Sequence, residues 1–584
     1  MTNSESKNVD AQAKGAGKGN EPILSVRDLK VAFGPLHDPK EVLHGVSFDI
    51  FPGEKLAIVG ESGSGKSTTM HAVIDLLPGS GRVTGGSILW KGRELVGLSE
   101  SAMEEIRGSE IGLVPQDPMS NLDPVWSVGN QVEEAIRANN LVSGKDAIRA
   151  RAAEVLEQAG LENAAQRMKS YPHQFSGGMK QRALIGIGLV AEPPLLIADE
   201  ITSALDVTVQ RVVLDHLDKL TNELGTGVAF ITHDLGLAAE RADRIIVMYQ
   251  GNIVETGSSR EILQRPQHEY TKRLVAAAPS LASRRIGSDP DLPPAPTETF
   301  NLAHLVDEDN RDGSVKHGEP VIEVTDLTKV FKIRKGAIGY EDFTAVSKAN
   351  FVVNRGETMA IVGESGSGKS TIARMVLQLE TPTEGSVKIH GKETAGIKGR
   401  ALFDLRSQMQ PVFQDPYGSL NPRHTVGDMI MEPLKVHGMG DAGARKARML
   451  ELLDQVALPR DFAQRRPRAL SGGQRQRVAI ARGLALKPDI VILDEAVSAL
   501  DVLVQAQILE LLAELQRELG LTYLFITHDL AVVRLIADRV CVMKSGVIVE
   551  QATTNEVFDN PQEEYTQNLL AAIPGATIEL GITD

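Results

Sequence analysis

The chain has 584 residues, of which 42% are hydrophobic, a composition typical of a soluble globular protein with more than one domain. Its formal net charge of −15 repels nucleic acids, so the overall charge argues against a nucleic-acid partner. A single cysteine, Cys541, excludes an intrachain disulfide and a cysteine-rich metal cluster, and its apolar surroundings, RVCVM, predict a buried strand residue. No stretch reaches the ~20 consecutive apolar residues of a membrane-spanning helix.

Along the chain we predict a tail, two copies of one domain and a linker between the copies. Residues 1–20 have no apolar core, which argues against a secretory signal and predicts a disordered tail. Residues 21–280 and 321–584 repeat the same segments in the same order, FITHDL among them, and so predict a tandem duplication with a C-terminal extension in each copy. The proline-rich and acidic residues 281–320 predict an extended linker.

Each copy carries the stretch GESGSGKST between an apolar strand and a helical pattern. Its glycines leave backbone N–H groups free to surround phosphate oxygens, and the following helix directs its positive end at the same anion. The spacing predicts that the lysine reaches the β- and γ-phosphates and that the next serine binds Mg²⁺. The residues predicted to bind nucleotide in the two loops are Gly60, Ser62, Gly63, Gly65, Lys66, Ser67 and Thr68, and Gly363, Ser365, Gly366, Gly368, Lys369, Ser370 and Thr371.

A pair of acidic residues ends a second apolar strand in each copy. Asp199 and Asp494 close the strands of PLLIADE and IVILDE, where a P-loop ATPase holds Mg²⁺. Glu200 and Glu495 follow directly, and a carboxylate at that place can orient and polarise an attacking water molecule.

The sequence SGG precedes a helical pattern containing QR in each copy, some twenty residues before the acidic strand. A hydroxyl, two small residues and free N–H groups at a helix N-terminus form a second anion site, separate from the first loop. The residues predicted to form it are Ser176, Gly177 and Gly178, and Ser471, Gly472 and Gly473.

Over nearly all of both copies, these motifs resemble the ATP-binding cassette (ABC) family. The glycine loops look like its Walker A motif, the acidic strands like Walker B and SGG like its signature. The resemblance implies an α/β fold of two tandem P-loop NTPase domains, each with a RecA-like core, an antiparallel β subdomain and a helical subdomain. Helical periodicity places the helical insertions at Asp117–His173 and Asp415–Arg468.

The same resemblance assigns further residues by their place in the motifs. Segments Ser203–Asp206 and Ser498–Asp501 resemble the D-loop, and Phe33 and Phe331 stand where the family stacks an aromatic ring on adenine. The histidines of FITHD resemble the switch histidine, and the glutamines of QDP the Q-loop glutamine. The residues implied in catalysis are Glu200, Glu495, His233, His528, Gln116 and Gln414, and those implied in Mg²⁺ binding are Ser67, Gln116, Asp199, Ser370, Gln414 and Asp494.

In the ABC family, ATP lies between the Walker A loop of one cassette and the signature of the other. One site would therefore combine Lys66 with Ser471 and Gly473, and the other Lys369 with Ser176 and Gly178. Neither copy lacks a catalytic residue, so we expect two hydrolytically competent sites.

Finer resemblances point to the oligopeptide/dipeptide importer ATPases, among which the two cassettes are often separate chains. The segments that carry this resemblance are QDPMSNLDP, YPHQFSGGMKQR, PQHEYT and their counterparts. It implies two transmembrane permease subunits, an extracytoplasmic binding protein and a peripheral position at the cytoplasmic face of the plasma membrane. Relatives with an iron–sulfur centre carry a cysteine cluster, so a chain with one cysteine is expected to lack it.

The alternative is a soluble tandem ABC ATPase that acts on ribosomes or another non-membrane partner. The proline-rich linker and the two switch histidines argue against the ribosomal class. Peptide, haem, metal chelate and glutathione remain open as substrates, because selectivity lies in other subunits.

Overall fold

A computed structural model of the protein describes residues 21–118, 120–202, 205–278, 318–335, 339–498 and 500–575. The tail predicted for residues 1–20 and the linker predicted for 281–320, apart from its last three residues, lie outside these ranges. Ser203, Ala204 and Ala499 of the D-loops also lie outside. The domain boundaries stay predictions.

The first half alternates strands and helices after an initial β-hairpin. Its elements are β1 Leu24–Phe33, β2 Lys40–Ile50, β3 Lys55–Val59, α1 Lys66–Val73, β4 Arg82–Trp90, β5 Arg93–Glu94, α2 Glu100–Glu104, β6 Ile111–Val114, α3 Val128–Ala138, α4 Lys145–Gln158, α5 Ala164–Arg167, α6 Gly177–Leu189, β7 Leu195–Asp199, α7 Val207–Leu224, β8 Gly227–Ile231, α8 Leu235–Arg241, β9 Arg244–Tyr249, β10 Asn252–Ser258, α9 Ser259–Gln264 and α10 Glu269–Ala277.

The second half repeats this order. Its elements are β11 Pro320–Lys335, β12 Gly339–Asn354, β13 Thr358–Val362, α11 Lys369–Val376, β14 Glu384–Ile389, β15 Lys392–Glu393, α12 Gly399–Gln408, β16 Met409–Val412, α13 Pro416–Ser419, α14 Val426–Val436, α15 Ala442–Gln455, α16 Gly472–Gly483, β17 Ile490–Asp494, α17 Val502–Leu519, β18 Thr522–Ile526, α18 Leu530–Ile536, β19 Arg539–Lys544, β20 Val547–Thr553, α19 Thr554–Asp559 and α20 Glu564–Ala571.

Each half contains a mixed core sheet and an antiparallel sheet. The core sheet of the first half has the order β10-β9-β3-β8-β7-β6, in which only β10 runs antiparallel to its neighbour. The antiparallel sheet has the order β2-β1-β4-β5, and the second half has the equivalent two sheets. The central strands LLIAD and GVAFI are buried along their whole length, as expected of parallel strands covered on both faces. Cys541 lies in such a strand, β19, with no exposed surface, which confirms that prediction.

The segments between β6 and β7, and between β16 and β17, form helices and short turns in the described residues, which confirms the helical insertions. In the first half, α3, α4 and α6 pack around their own apolar cluster. This subdomain presents the signature glycines at the start of α6.

The two halves contact each other through the helices that end each copy. Helix α10 packs against α17, and α20 packs against α7. Arg211 donates a hydrogen bond to the carbonyl oxygen of Ala571, and the Gly575 N–H donates to Glu240 at 3.1 Å. Apolar residues of both halves, Ala278 and Val502 among them, belong to one buried cluster.

A cavity of about 140 Å³ lies between the halves. The predicted switch histidines of both copies, His233 and His528, line it, together with the aspartates that follow them. The cavity therefore separates two equivalent groups of side chains, one from each half.

Candidate functional site

The lysine of each glycine loop is buried and bound to the carbonyl groups of its own loop. Lys66 Nζ donates to the carbonyl oxygens of Gly60 at 2.8 Å and Glu61 at 2.9 Å. Lys369 makes the same pair of bonds in the second half. Burial lowers the pKa of Lys66 below its usual value, although the charge of Glu200 and other nearby carboxylates acts to raise it.

The first glycine of the loop has no room for a side chain. Gly60 has φ +148°, and a Cβ there would lie 2.2 Å from the carbonyl oxygen of Met248 in β9. Gly363 repeats this geometry in the second half. In contrast, Gly63 has φ +80° with no atom within 4 Å of a Cβ position, so the loop is open on that side.

The serine after the lysine meets the strand-end aspartate. Ser67 Oγ donates to Asp199 Oδ1 at 2.9 Å, and Ser370 Oγ donates to Asp494 Oδ1 at 3.1 Å. Burial raises the pKa of both aspartates, while the serine hydrogen bond acts to lower it. Hard oxygen atoms in this arrangement suit Mg²⁺, so the residues present fit the predicted ion.

One difference between the halves lies beside these aspartates. His71 Nε2 is 3.6 Å from Asp199 Oδ2 in the first half. In the second half Arg374, five residues after the loop lysine like His71, acts to lower the pKa of Asp494 through its charge. His71 and Arg374 were not predicted, because they follow the motif and belong to no predicted site.

The glutamates after these aspartates occupy left-handed backbone conformations. Glu200 has φ +43° and Glu495 has φ +51°, which is uncommon for residues other than glycine. Their N–H groups donate to the carbonyl oxygens of Ile231 at 2.9 Å and Ile526 at 2.8 Å, which holds each turn in place. Backbone strain of this kind concentrates at functional sites because the surrounding structure can enforce it.

Each glutamate contacts the predicted glutamine and histidine of its own half. Gln116 Nε2 donates to Glu200 Oε2, and Gln414 Nε2 donates to Glu495 Oε2, both at 2.6 Å. His233 Nδ1 lies 3.5 Å from Glu200 Oε1, and the second half repeats this distance between His528 and Glu495. The structure therefore brings all six predicted catalytic residues into two equivalent clusters.

The protonation of each cluster follows from these contacts. Burial acts to raise the pKa of Glu200, but the hydrogen bond and charge of His233, together with Lys66 and Gln116, bring it below its ordinary value. Burial acts to lower the pKa of His233, but Glu200 raises it above the usual value. The glutamate is thus ionised at neutral pH, as a group that accepts a proton from water must be.

The signature serines begin helices in both halves. The hydroxyl of Ser176 accepts a hydrogen bond from the Met179 N–H at 3.4 Å, and Ser471 accepts one from Gln474 at 3.3 Å. Gly177 and Gly472 are the first residues of α6 and α16. At the next position, a Cβ on Gly178 or Gly473 would lie 2.4 or 2.3 Å from a valine methyl group of α7 or α17 in the same half. These glycines therefore set the signature helix close to the helix that begins at the D-loop.

Charged residues of each half change the pKa of residues in the glycine loop of the other half. Burial and then the charge of Asp501 raise the pKa of Glu61, and Asp501 is also among the charges that act on Lys66. Conversely, the charge of Asp206 in the first half acts to raise the pKa of Lys369 in the second half. Asp206 and Asp501 are the N-cap residues of α7 and α17, the helices that follow the D-loops.

The remaining predicted residues lie around these clusters. Ser62 and Ser365 are exposed in the loops, while Thr68 and Thr371 are partly buried in the first turns of α1 and α11. Gly65 and Gly368 precede these helices with positive φ angles, and Gly366 matches Gly63.

The two aromatic residues predicted to stack on adenine have different neighbours. Phe33 is partly buried, close to Gly81. The ring of Phe331 lies 4.9 Å from Lys329 Nζ. Their stacking on adenine stays a prediction.

Comparison with known proteins decides the family. A family model described as ABC transporter matches residues 43–203 and 346–498. A second model, described as the C-terminal region of oligopeptide/dipeptide transporters, matches residues 254–301 and 549–582. The chain belongs to the ABC transporter family. It is a member of the oligopeptide/dipeptide branch with two ATPase cassettes in one chain, and these cassettes bind ATP.

Curated relatives match almost the whole chain. Glutathione import ATP-binding protein GsiA of Salmonella choleraesuis (strain SC-B67) is 44% identical over 95% of this chain and 90% of the relative. GsiA of Escherichia coli (strain K12) is 43% identical over the same shares. Among solved structures, the ATP-binding cassette MJ0796 bound to ADP and Pi is 34% identical, covers 40% of this chain and 98% of its own, and has a TM-score of 0.37. Within the described residues, no helix has the length and apolar character needed to cross a membrane.

Sequence reasoning also missed two tyrosines that contact the glycine loops. The phenol oxygens of Tyr270 and Tyr565 accept hydrogen bonds from the N–H groups of Glu61 and Glu364. The available signal was the segment EYT, which recurs in both copies but matches no nucleotide-binding motif.

Proposed function

We propose that this protein is the ATP-hydrolysing subunit of an importer for di- or oligopeptides or for glutathione. The observation that carries the proposal is the match of the oligopeptide/dipeptide transporter C-terminal region in both halves. The two GsiA relatives are named as import ATP-binding proteins, which favours an importer over the ribosome-associated alternative.

In each half, the loop N–H groups and the loop lysine bind the phosphates of ATP. The positive end of the following helix adds to this attraction. Mg²⁺, when bound by the oxygen atoms of Ser67 and Asp199 or of Ser370 and Asp494, neutralises phosphate charge. Gln116 and Gln414 are the further proposed ligands of the ion.

The glutamate after the aspartate prepares water for attack. Glu200 is ionised and held by Gln116 and His233, so it can accept a proton from a water molecule and orient that molecule. The same arrangement around Glu495 supports a second hydrolytic site.

Each nucleotide would contact both halves. The charge of Asp501 acts to raise the pKa of Lys66, and that of Asp206 acts to raise the pKa of Lys369, which supports a site shared between the halves. The proposed composite sites pair Lys66 with Ser471 and Gly473, and Lys369 with Ser176 and Gly178.

We further propose two permease subunits and an extracytoplasmic binding protein as partners, at the cytoplasmic face of the plasma membrane. The chain would attach to the membrane through the permeases. No iron–sulfur centre and no nucleic acid take part in this proposal.

Reconstitution tests the function. The chain is purified from native membranes by a gentle affinity step, and its partners are identified by mass spectrometry. The recovered complex is placed in vesicles, and ATP-dependent uptake of labelled dipeptide, tripeptide and glutathione is measured with the binding protein present. The matched control carries both Glu200→Gln and Glu495→Gln.

The proposal is supported if mass spectrometry finds two permeases with the chain and if the double variant abolishes uptake into the vesicles. Recovery of ribosomal proteins without permeases, or equal uptake by the double variant, would contradict it.

A further inference from the structure

A repeated segment of the C-terminal extension has no role in the proposed chemistry. PQHEYT and PQEEYT begin helices α10 and α20. The N–H groups of Gln267 and His268 donate to the Glu255 carboxylate at 2.8 and 3.0 Å, which attaches the start of α10 to β10. The second half repeats both bonds. The tyrosine of each segment is therefore presented from an anchored helix end.

In the first half, this tyrosine reaches the Walker A loop. Tyr270 is 3% exposed, and its ring stacks on Tyr249 with the centroids 4.2 Å apart. Its phenol oxygen accepts a hydrogen bond from the Glu61 N–H at 2.9 Å. That N–H belongs to the peptide group whose carbonyl oxygen, on Gly60, accepts from Lys66 Nζ at 2.8 Å. One peptide group thus joins the phenol to the lysine.

The peptide group has little freedom to turn. Gly60 lies so close to the carbonyl oxygen of Met248 that a Cβ would not fit, which restricts the peptide on one side. Tyr270 fixes its N–H on the other side. A rotation of this peptide would turn the Gly60 carbonyl away from Lys66 Nζ, so the phenol helps to set the position of the lysine.

The second half has the same connection, but its phenol hydrogen bond is longer. Tyr565 accepts from the Glu364 N–H at 3.4 Å, and the Gly363 carbonyl accepts from Lys369 Nζ at 2.7 Å. Lys544 takes the place of the stacked tyrosine, with its Nζ 4.7 Å from the Tyr565 ring centroid. The longer hydrogen bond predicts a smaller contribution from Tyr565.

We propose that Tyr270 and Tyr565 are positioning residues for ATP binding. Each phenol holds the first peptide group of its Walker A loop, and that peptide holds the loop lysine. The C-terminal extension thereby acts on the nucleotide affinity of its own half. The inference rests on the proposed role of Lys66 and Lys369 in phosphate binding.

Single-site versions of the full chain test the proposal. Lys369→Ala leaves the first site for measurement, and Lys66→Ala leaves the second. Tyr270→Phe is introduced into the first version and Tyr565→Phe into the second, because phenylalanine keeps the ring and removes only the hydroxyl. Tyr249→Phe, in the first version, is the matched control, since among the described residues the Tyr249 hydroxyl accepts from the neighbouring Gln250 side chain and not from the loop.

Equilibrium binding of a non-hydrolysable ATP analogue and thermal unfolding are measured for each variant. Loss of one hydrogen bond, worth ~0.5–1.5 kcal/mol, converts to a rise of about two- to twelvefold in Kd for Tyr270→Phe. We expect a smaller rise in Kd for Tyr565→Phe and none for Tyr249→Phe.

Several outcomes overturn the inference. An unchanged Kd in Tyr270→Phe, or a lower melting temperature with unchanged Kd, means that the phenol only stabilises the fold. A Kd change in Tyr249→Phe equal to that in Tyr270→Phe means that the effect does not come from the hydrogen bond between Tyr270 and the Glu61 N–H. If combining Lys66→Ala with Lys369→Ala leaves binding intact, the proposed phosphate-binding role itself is wrong.

Discussion

The equivalence of the two glutamate clusters leads to a prediction about ATP turnover. We expect Glu200→Gln and Glu495→Gln, each made alone, to lower steady-state ATPase activity to half of the parent value or less. The two single variants should agree within about twofold, because the glutamine contact is 2.6 Å and the histidine contact 3.5 Å in both halves.

The magnitude for the combined variant follows from the chemistry that glutamine lacks. The amide keeps an oxygen that can accept from Gln116 or Gln414, but it cannot take a proton from water. A positioned general base contributes about 10²- to 10⁴-fold to a rate, so the double variant should lose at least about a hundredfold in kcat.

Phosphate release at saturating Mg–ATP measures the rates, and equilibrium binding of ATP serves as the control for an intact site. Each variant should bind ATP as well as the parent does. If Glu200→Gln alone left turnover unchanged, the first site would not hydrolyse ATP, and the inference of two competent sites from their matching geometry would be wrong.

Three further predictions follow from the same sites. Gly60→Ala should raise the Kd for ATP more than Gly63→Ala does, because a Cβ meets a carbonyl oxygen only at the first position; equal effects in a binding titration would contradict this. In Glu200→Gln, the pKa of His233 should fall, because the carboxylate that raises it is gone and burial remains; NMR titration of the imidazole checks the direction. Burial raises the pKa of Cys541 to about 12, so its thiol should resist a disulfide reagent at pH 8 in the native protein and react once per chain in guanidinium; rapid native reaction would refute it.

Much of the site could be predicted from the sequence because each motif stands at the end of a strand. The strands that end at Val59, Asp199 and Ile231 are parallel neighbours in the core sheet, so the residues that follow them meet at one edge. Repetition strengthened each assignment, since Lys369 and Asp494 recur in the same order as Lys66 and Asp199.

Other features depend on tertiary structure and left no local pattern. The hydrogen bond between Glu61 and Tyr270 joins residues 209 positions apart, and no spacing along the chain predicts which tyrosine returns to a loop. The left-handed conformation of Glu200 is equally hidden, because glycine is the residue that usually marks such a backbone. The charge of Asp501 near Lys66 depends on how the halves face each other.

The two halves share an apolar cluster at the contact of α10 with α17, and this cluster affects the energetics of ATP turnover. Separate ATPase subunits that dissociate must recover several kcal/mol of lost translational and rotational freedom whenever they meet again. Here, side chains such as Ala278 and Val502 belong to one buried cluster shared by both halves, so complete separation of the halves would expose apolar surface to water. Cleavage of the backbone between residues 279 and 317 should accordingly yield two fragments that still elute together in gel filtration.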